Sequence, residues 1–223
     1  MALVDLHTHT RFFHGFAGRP TWFDPYGARL LVALAKRRGL DALATTNHDY
    51  FERFDVDTGD LTVIPGIEVT STAGHMLVIG PDPPRRTKPN VLTPGEVVDL
   101  ARERNCAVVL PHPFRNSTVI DSNPDVDAIE VNGKRSTSIE RIAAFAADHD
   151  RPLIGGSDAH YPFEVGRAHT VVDDDPLTPE GVVAALRNGR IDYRVREWYP
   201  SQALRRGYGL IHRLKGHTSQ LPD

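Results

Sequence analysis

Asp5-Leu6-His7-Thr8-His9 closes the first hydrophobic run of the chain, Ala2–Leu6. The run reads as a β-strand. An H-x-H on extended backbone puts both imidazoles on one face, because side chains alternate with period two. Asp5 alternates onto that face too and is expected to orient a ligand from behind. About 150 residues later, Gly155-Gly156-Ser157-Asp158-Ala159-His160 follows another hydrophobic run. Asp158 and His160 repeat the i, i+2 relation with a carboxylate and an imidazole. Gly155-Gly156 lets backbone pass close to the site. Two such clusters, each where a strand should end, predict one polynuclear metal site at the rim of a barrel.

Between them, short β-type runs alternate with helical patterns. Asp24-Pro25 reads as N-cap and first turn of a helix to about Arg38, stopped by Gly39. Strands are expected at Asp41–Thr45, at Leu61–Ile64 and Ile67–Thr70 (split by Pro65-Gly66), and at Met76–Ile79. Thr93-Pro94-Gly95-Glu96 has the form of a capping box and opens a helix to about Asn105. Further strands are expected at Ala107–Leu110, Asp127–Val131, Pro152–Ile154 and Thr170–Val172. Helices are expected over Ser138–His149 and from Thr178-Pro179-Glu180 to near Asn188-Gly189. This alternation argues for an α/β fold with a parallel sheet, open or closed.

The 223 residues suit one α/β domain of barrel type, with little left over. A net charge of −3 argues against non-specific nucleic-acid binding by the chain as a whole. The single cysteine, Cys106, excludes an intramolecular disulfide and suits a reducing compartment. Neither a signal-peptide pattern nor an apolar run near 20 residues is visible, so a cytoplasmic protein without a transmembrane segment is expected.

Of eleven histidines, seven fall at strand ends or in the loops after them: His7, His9, His14, His48, His75, His112 and His160. Glu68 stands among apolar neighbours, where a carboxylate is costly to bury unless paired or metal-bound. Pro111-His112-Pro113 denies its histidine a regular element and fixes its direction. Glu130, also at a strand end, reads equally well as a residue behind the ligands or as an edge-strand polar group. The donors are imidazole and carboxylate without thiolate, which suits Zn²⁺, Mn²⁺ or Fe²⁺ better than Ca²⁺.

Four motifs in order, His7-Thr8-His9, Thr46-Asn47-His48-Asp49, Pro111-His112-Pro113 and Gly156-Ser157-Asp158-Ala159-His160, resemble the PHP (polymerase and histidinol phosphatase) family over residues 1 to about 190. The resemblance implies a distorted (β/α)₇ barrel with three metals at the C-terminal ends of the strands. It assigns His7 and His9, with Glu68 and Asp158, to one metal. Glu68 bridges to a second held by His75 and His112, and His14, His48 and His160 hold the third. Asn47 stands where the family often has Asp, a change expected to weaken His48 and the third metal.

Clustered divalent cations imply hydrolysis of a phosphate ester by in-line attack of metal-bound hydroxide. Asp158, His160 and Glu68 are the expected catalytic residues, with His160 a candidate proton donor to the leaving oxygen. Arg167, Arg115 and Arg135 are the candidate phosphate forks, in that order. A small phosphorylated substrate is expected, with short oligonucleotides as the alternative; a non-catalytic metal-binding module and an amidohydrolase-type enzyme are competing readings. Beyond the barrel, residues 191–223 form a basic extension. Its segment Gln202–Leu214 has helical apolar spacing and suits packing on the barrel, contact with a phosphate-rich partner or membrane surface, or oligomerisation.

Overall fold

The structure is a computed structural model that describes residues 1–12, 23–115, 117–132, 139–173 and 177–196. His14, Arg135 and the Gln202–Leu214 segment lie outside the described residues. In chain order the elements are β1 (Ala2–Thr8), α1 (Pro25–Arg37), β2 (Ala42–His48), β3 (Thr62–Ser71), β4 (Gly74–Ile79), α2 (Pro94–Glu103) and β5 (Ala107–Leu110). There follow β6 (Ala128–Asn132), α3 (Ile139–Asp148), β7 (Leu153–Gly156), β8 (Ala168–Val172), α4 (Pro179–Arg187) and β9 (Ile191–Val195), with short 3₁₀ turns at Val119–Ser122 and Pro162–Glu164.

The strands form one sheet in the order β7-β6-β5-β4-β3-β2-β1-β8-β9. β1, β2, β3, β5, β6, β7 and β9 run in one direction, while β4 and β8 run against them. The sheet curls until its β7 end returns to β1 and β8. The His9 N–H donates to the Ala159 carbonyl at 3.0 Å, and Ala159 returns a bond to His7 at 3.2 Å. The Thr170 hydroxyl meets Gly155 N at 3.1 Å. The result is a nearly closed, distorted barrel, as the resemblance implies.

Local chemistry sets the elements. Asp24 caps α1 by accepting from the N–H groups of Tyr26 and Gly27, and Gly39 takes the left-handed φ of +71° that ends the turn. The capping box of Thr93 and Glu96 forms at the start of α2. One strand, β3, replaces the expected pair around Pro65. The Pro65 carbonyl points toward β4 and accepts from Gly80 N–H at 3.0 Å. The N–H that proline lacks would point the same way, so the Pro65–Gly80 pair makes one bond instead of two, at the end of the β3–β4 ladder just past Gly66–Ile79. β9 was not foreseen; the 191–223 extension begins as a strand on β8.

Alternation divides the apolar side chains between the inside of the barrel and its outer layers. Inside, Val4, Leu6, Ala44, Ile64, Leu77, Val109, Ala128 and Ile154 form one cluster. Val182, Val183 and Leu186 of α4 pack on it. Val183 touches the position after the end of β4, so α4 closes the end of the barrel away from the ligand residues. Outside, α2 and α3 pack on Ile67, Val69, Val108 and Ile129. α1 packs on Leu43 and partly buried Val63. Among the described residues no helix is long and apolar enough to cross a membrane.

Candidate metal centre

The inward-facing positions are apolar at the α4 end and polar at the other. On β2 the inward series Ala42, Ala44, Thr46 ends at His48; on β3, Ile64 and Gly66 lead to Glu68. His75 stands at the start of β4, on the same face as Leu77 and Ile79. Glu130 follows Ala128 on β6, and Gly156 follows Ile154 on β7. The metal-type residues therefore cluster where the parallel strands end, the end of such barrels that carries chemistry.

β1 reaches this face by an irregularity. Asp5 pairs with Leu43, but Thr8 pairs with Thr45, so β1 carries one extra residue between them. Such a bulge reverses the alternation. Leu6 and then His7 both turn inward, and His9 follows His7. Asp5 stays on the outer face. It does not orient an imidazole as expected; its carboxylate accepts from the backbone N–H groups of His7 (3.3 Å), Ser157 (3.0 Å) and Gly166 (2.6 Å). It ties the first and fourth motifs together through their backbones. Burial raises its pKa to about 6 against those bonds.

Glu68 is the hub. Its Oε2 lies 3.3 Å from His7 Nε2, 3.5 Å from His9 Nε2 and 3.1 Å from His48 Nδ1. Its Oε1 lies 2.8 Å from His75 Nδ1 and 3.4 Å from His112 Nε2. Asp158 Oδ1 lies 3.6, 3.4 and 3.0 Å from His7 Nε2, His9 Nε2 and His160 Nδ1. His48 and His160 approach with their Nε2 atoms 3.5 Å apart. Eight of the nine expected ligands thus converge; the ninth, His14, lies outside the described residues. His112 and Asp158 hold positive φ of 30° and 50°, strain of the kind that collects at functional sites. Pro113 makes that conformation of His112 harder still.

Among the described residues three tight groupings emerge: His7, His9 and Glu68; His48, Glu68 and His75; His9, His48 and His160. The residues fit metal. His9 Nε2 and His112 Nε2 are buried and make no hydrogen bond. Lone-pair atoms buried at 3–4 Å from one another repel or force protonation unless a cation joins them. Burial disfavours a charged His7, but Glu130, Glu68 and Asp158 outweigh it and hold its pKa well above the ordinary value. His9 goes the other way, driven down by burial and by His160. Burial opposes a charged Glu68 as well, yet His48 and His7 hold its pKa well below the carboxylate range.

Access is one-sided. His7 and His9 are buried, whereas His48, His75 and His160 expose 38, 31 and 21% of their side chains. Arg115 joins that open side, with Nη1 2.9 Å from Asp158 Oδ2 and 36% of its side chain exposed. Arg167 is buried and paired with Glu164 at 3.3 Å. The other Glu164 oxygen accepts from the N–H groups of His160 and Tyr161, at 2.8 and 3.0 Å. Asn47 bonds to Thr10 rather than to an imidazole: its Oδ1 accepts from Thr10 N–H at 2.8 Å, and its Nδ2 donates to Thr10 Oγ1 at 2.9 Å. The expected weakening of His48 by Asn47 therefore has no contact to act through.

Glu130 was left open by the sequence, and Glu164 was missed. Glu130 is fully buried, with Oε1 2.8 Å from His7 Nδ1 and Oε2 accepting His112 N–H at 3.0 Å. The usable signal was a carboxylate inside the apolar run Ala128-Ile129-Glu130-Val131.

Residues 137–191 match the family model described as PHP-associated. An uncharacterised protein of Methanocaldococcus jannaschii is 29% identical over a match covering 56% of this chain and 60% of that protein, so the chain spans less than two thirds of its curated relative. Among solved structures, PsfC from Pseudomonas syringae aligns with a TM-score of 0.72 at 19% identity, over 96% of this chain and 98% of that one. A two-domain protein from Bacteroides vulgatus, containing a predicted PHP-like metal-dependent phosphoesterase, aligns at 0.64 with 20% identity, over 94 and 69%. The lesion-specific endonuclease Q of Pyrococcus furiosus aligns at 0.56 with 19% identity, over 84 and 56%. Identities this low speak for the fold alone. Barrel, ordered motifs and the PHP-associated segment all agree with the resemblance to the PHP family.

Proposed function

We propose that this chain is a metal-dependent phosphoesterase that hydrolyses a small phosphomonoester or nucleotide at a centre of three divalent cations. The observation that carries the reading is the convergence of six imidazoles on Glu68 and Asp158, with buried lone-pair atoms facing one another and one side open. His7, His9, Glu68 and Asp158 would hold one cation. His75 and His112 would share Glu68 with a second, and His48 and His160, with His14, would hold the third. The donor set suits Zn²⁺, Mn²⁺ or Fe²⁺. Bound cations of this kind clamp phosphate oxygens and acidify a water for attack on phosphorus.

The protein groups divide the remaining work. The Arg115 fork, anchored on Asp158, donates to a phosphate oxygen entering from the open side. Arg167, the first choice from sequence, is better placed to hold Glu164 and with it the loop bearing His160. His160, partly exposed on the open side, is the candidate proton donor to the leaving oxygen, with another group of the metal site as the alternative.

The alternative is a nuclease. Its support is the likeness to endonuclease Q, which is a likeness of fold. The test is a metal-reconstituted screen of phosphomonoesters, nucleoside bisphosphates, short oligonucleotides, and carboxylic ester and amide substrates. Turnover confined to monoesters supports the proposal; turnover confined to oligonucleotides selects the nuclease. Turnover of amides alone selects amidohydrolase chemistry. Metal binding with no turnover selects a binding module.

A further inference from the structure

Resting on the reading of His7 and His112 as ligands, we propose that Glu130 is the positioning residue that aims both, and that Gly156 is the gap through which it does so. Glu130 lies on β6 and His7 on β1, 123 residues apart in sequence, with β7 between them at the barrel seam. The two oxygens of Glu130 serve different ligands. Oε1 takes the Nδ1 side of the His7 ring at 2.8 Å, and Oε2 takes the backbone N–H of His112 at 3.0 Å. The Asn132 amide stands 3.5 Å from the same Oε2.

The consequence for His7 is directional. A proton on Nδ1, shared with Glu130, leaves the Nε2 lone pair facing Glu68 and Asp158. A carboxylate behind a ligand imidazole fixes its tautomer and raises its basicity. For His112 the hold is on the main chain. Its φ of 30° is unfavourable for a residue before proline, and the bond to Glu130 is what the loop gains there.

Gly156 makes the reach possible. It pairs with Asn132 across the β6–β7 ladder. A Cβ built on it would overlap Glu130 Oε1 and come within 2.9 Å of His7 Cβ. Any side chain at 156 therefore drives the carboxylate away from His7. The glycine of Gly156-Ser157-Asp158-Ala159-His160 makes room for a carboxylate from the neighbouring strand.

The test compares wild type, Glu130→Gln, Glu130→Asp and Gly156→Ala by calorimetric titration with Zn²⁺, with circular dichroism and thermal melts to establish folding. Folded variants should bind zinc about 10- to 100-fold more weakly, the usual effect of losing a carboxylate behind a metal ligand. In zinc-loaded wild type with ¹⁵N-labelled histidine, the His7 Nδ1 should carry a slowly exchanging proton, a measurement that needs no variant. Folded variants within twofold of wild-type affinity, or zinc bound through His7 Nδ1, would overturn the proposal alone. Wild type that binds no zinc, manganese or iron would overturn the metal reading together with it.

Discussion

His48 and Glu68 are register partners on neighbouring parallel strands, and His48 Nδ1 lies 3.1 Å from Glu68 Oε2. The same carboxylate reaches His7 on β1 and His9 just after it, His75 on β4 and His112 after β5. One side chain thus joins the ligands of four strands and the segments that follow them. Glu68→Gln keeps the shape and removes the charge. Metal analysis of the purified variant should show fewer bound cations than wild type, and phosphoesterase activity should fall by about 100-fold or more, the scale of losing one charge-stabilising group.

Asp5 predicts a different phenotype. Its two oxygens accept three backbone N–H groups from β1, Ser157 and Gly166. Asn offers one acceptor oxygen and turns an NH₂ toward a buried donor. Asp5→Asn should lower stability by roughly 1–3 kcal/mol in denaturant titration, the cost of an unmet buried polar group. Metal stoichiometry of the folded fraction should stay at the wild-type value, because Asp5 touches backbone rather than imidazoles.

These two residues show where sequence was legible. Period-two alternation pointed to His7 and His9 as a pair, the strand ends to His48, His112, Asp158 and His160, and the apolar neighbours of a carboxylate to Glu68. The same alternation put Asp5 on the wrong face, because the extra residue in β1 is visible only in its pairing with β2. The partners of Glu130 lie on β1 and after β5, so its charge in an apolar run was readable and its role was not. β9 hid in Ile191-Asp192-Tyr193-Arg194-Val195, whose alternation fits a strand but whose charges drew it into the basic extension. Pro65 marked a break that does not occur, because its missing N–H costs a single bond, opposite Gly80 at the end of the β3–β4 ladder.

Metal binding should depend on pH through His7. Its pKa in the metal-free fold is held well above 6.5, despite burial, by Glu130, Glu68 and Asp158. A cation must displace that proton. Affinity should therefore weaken as pH falls and strengthen as pH rises toward the pKa of His7, with proton release on binding. Titrations in buffers of different ionisation enthalpy measure the release; affinity that is flat between pH 6 and 8, with no proton release, contradicts the prediction.

Arg115 is set on Asp158 at the open side of the site, and its deletion should act on substrate. Arg115→Ala should lower kcat/KM for a phosphomonoester by about 10- to 100-fold, equivalent to ~1.4–2.7 kcal/mol. If the loss is in KM, the arginine holds ground state and transition state alike; if in kcat, it acts as charge develops. Unchanged kinetics would remove Arg115 from the substrate site.

The central claim is phosphate-ester hydrolysis at a metal centre built around Glu68 and Asp158. It is tested most directly by phosphomonoester turnover of chelator-stripped protein reconstituted with Mn²⁺ or Zn²⁺, in wild type beside the His7→Ala/His9→Ala double variant and Asp158→Ala. The account predicts no turnover in stripped protein, recovery on adding metal to wild type, and no recovery in either variant. Undiminished turnover in both folded variants would contradict it.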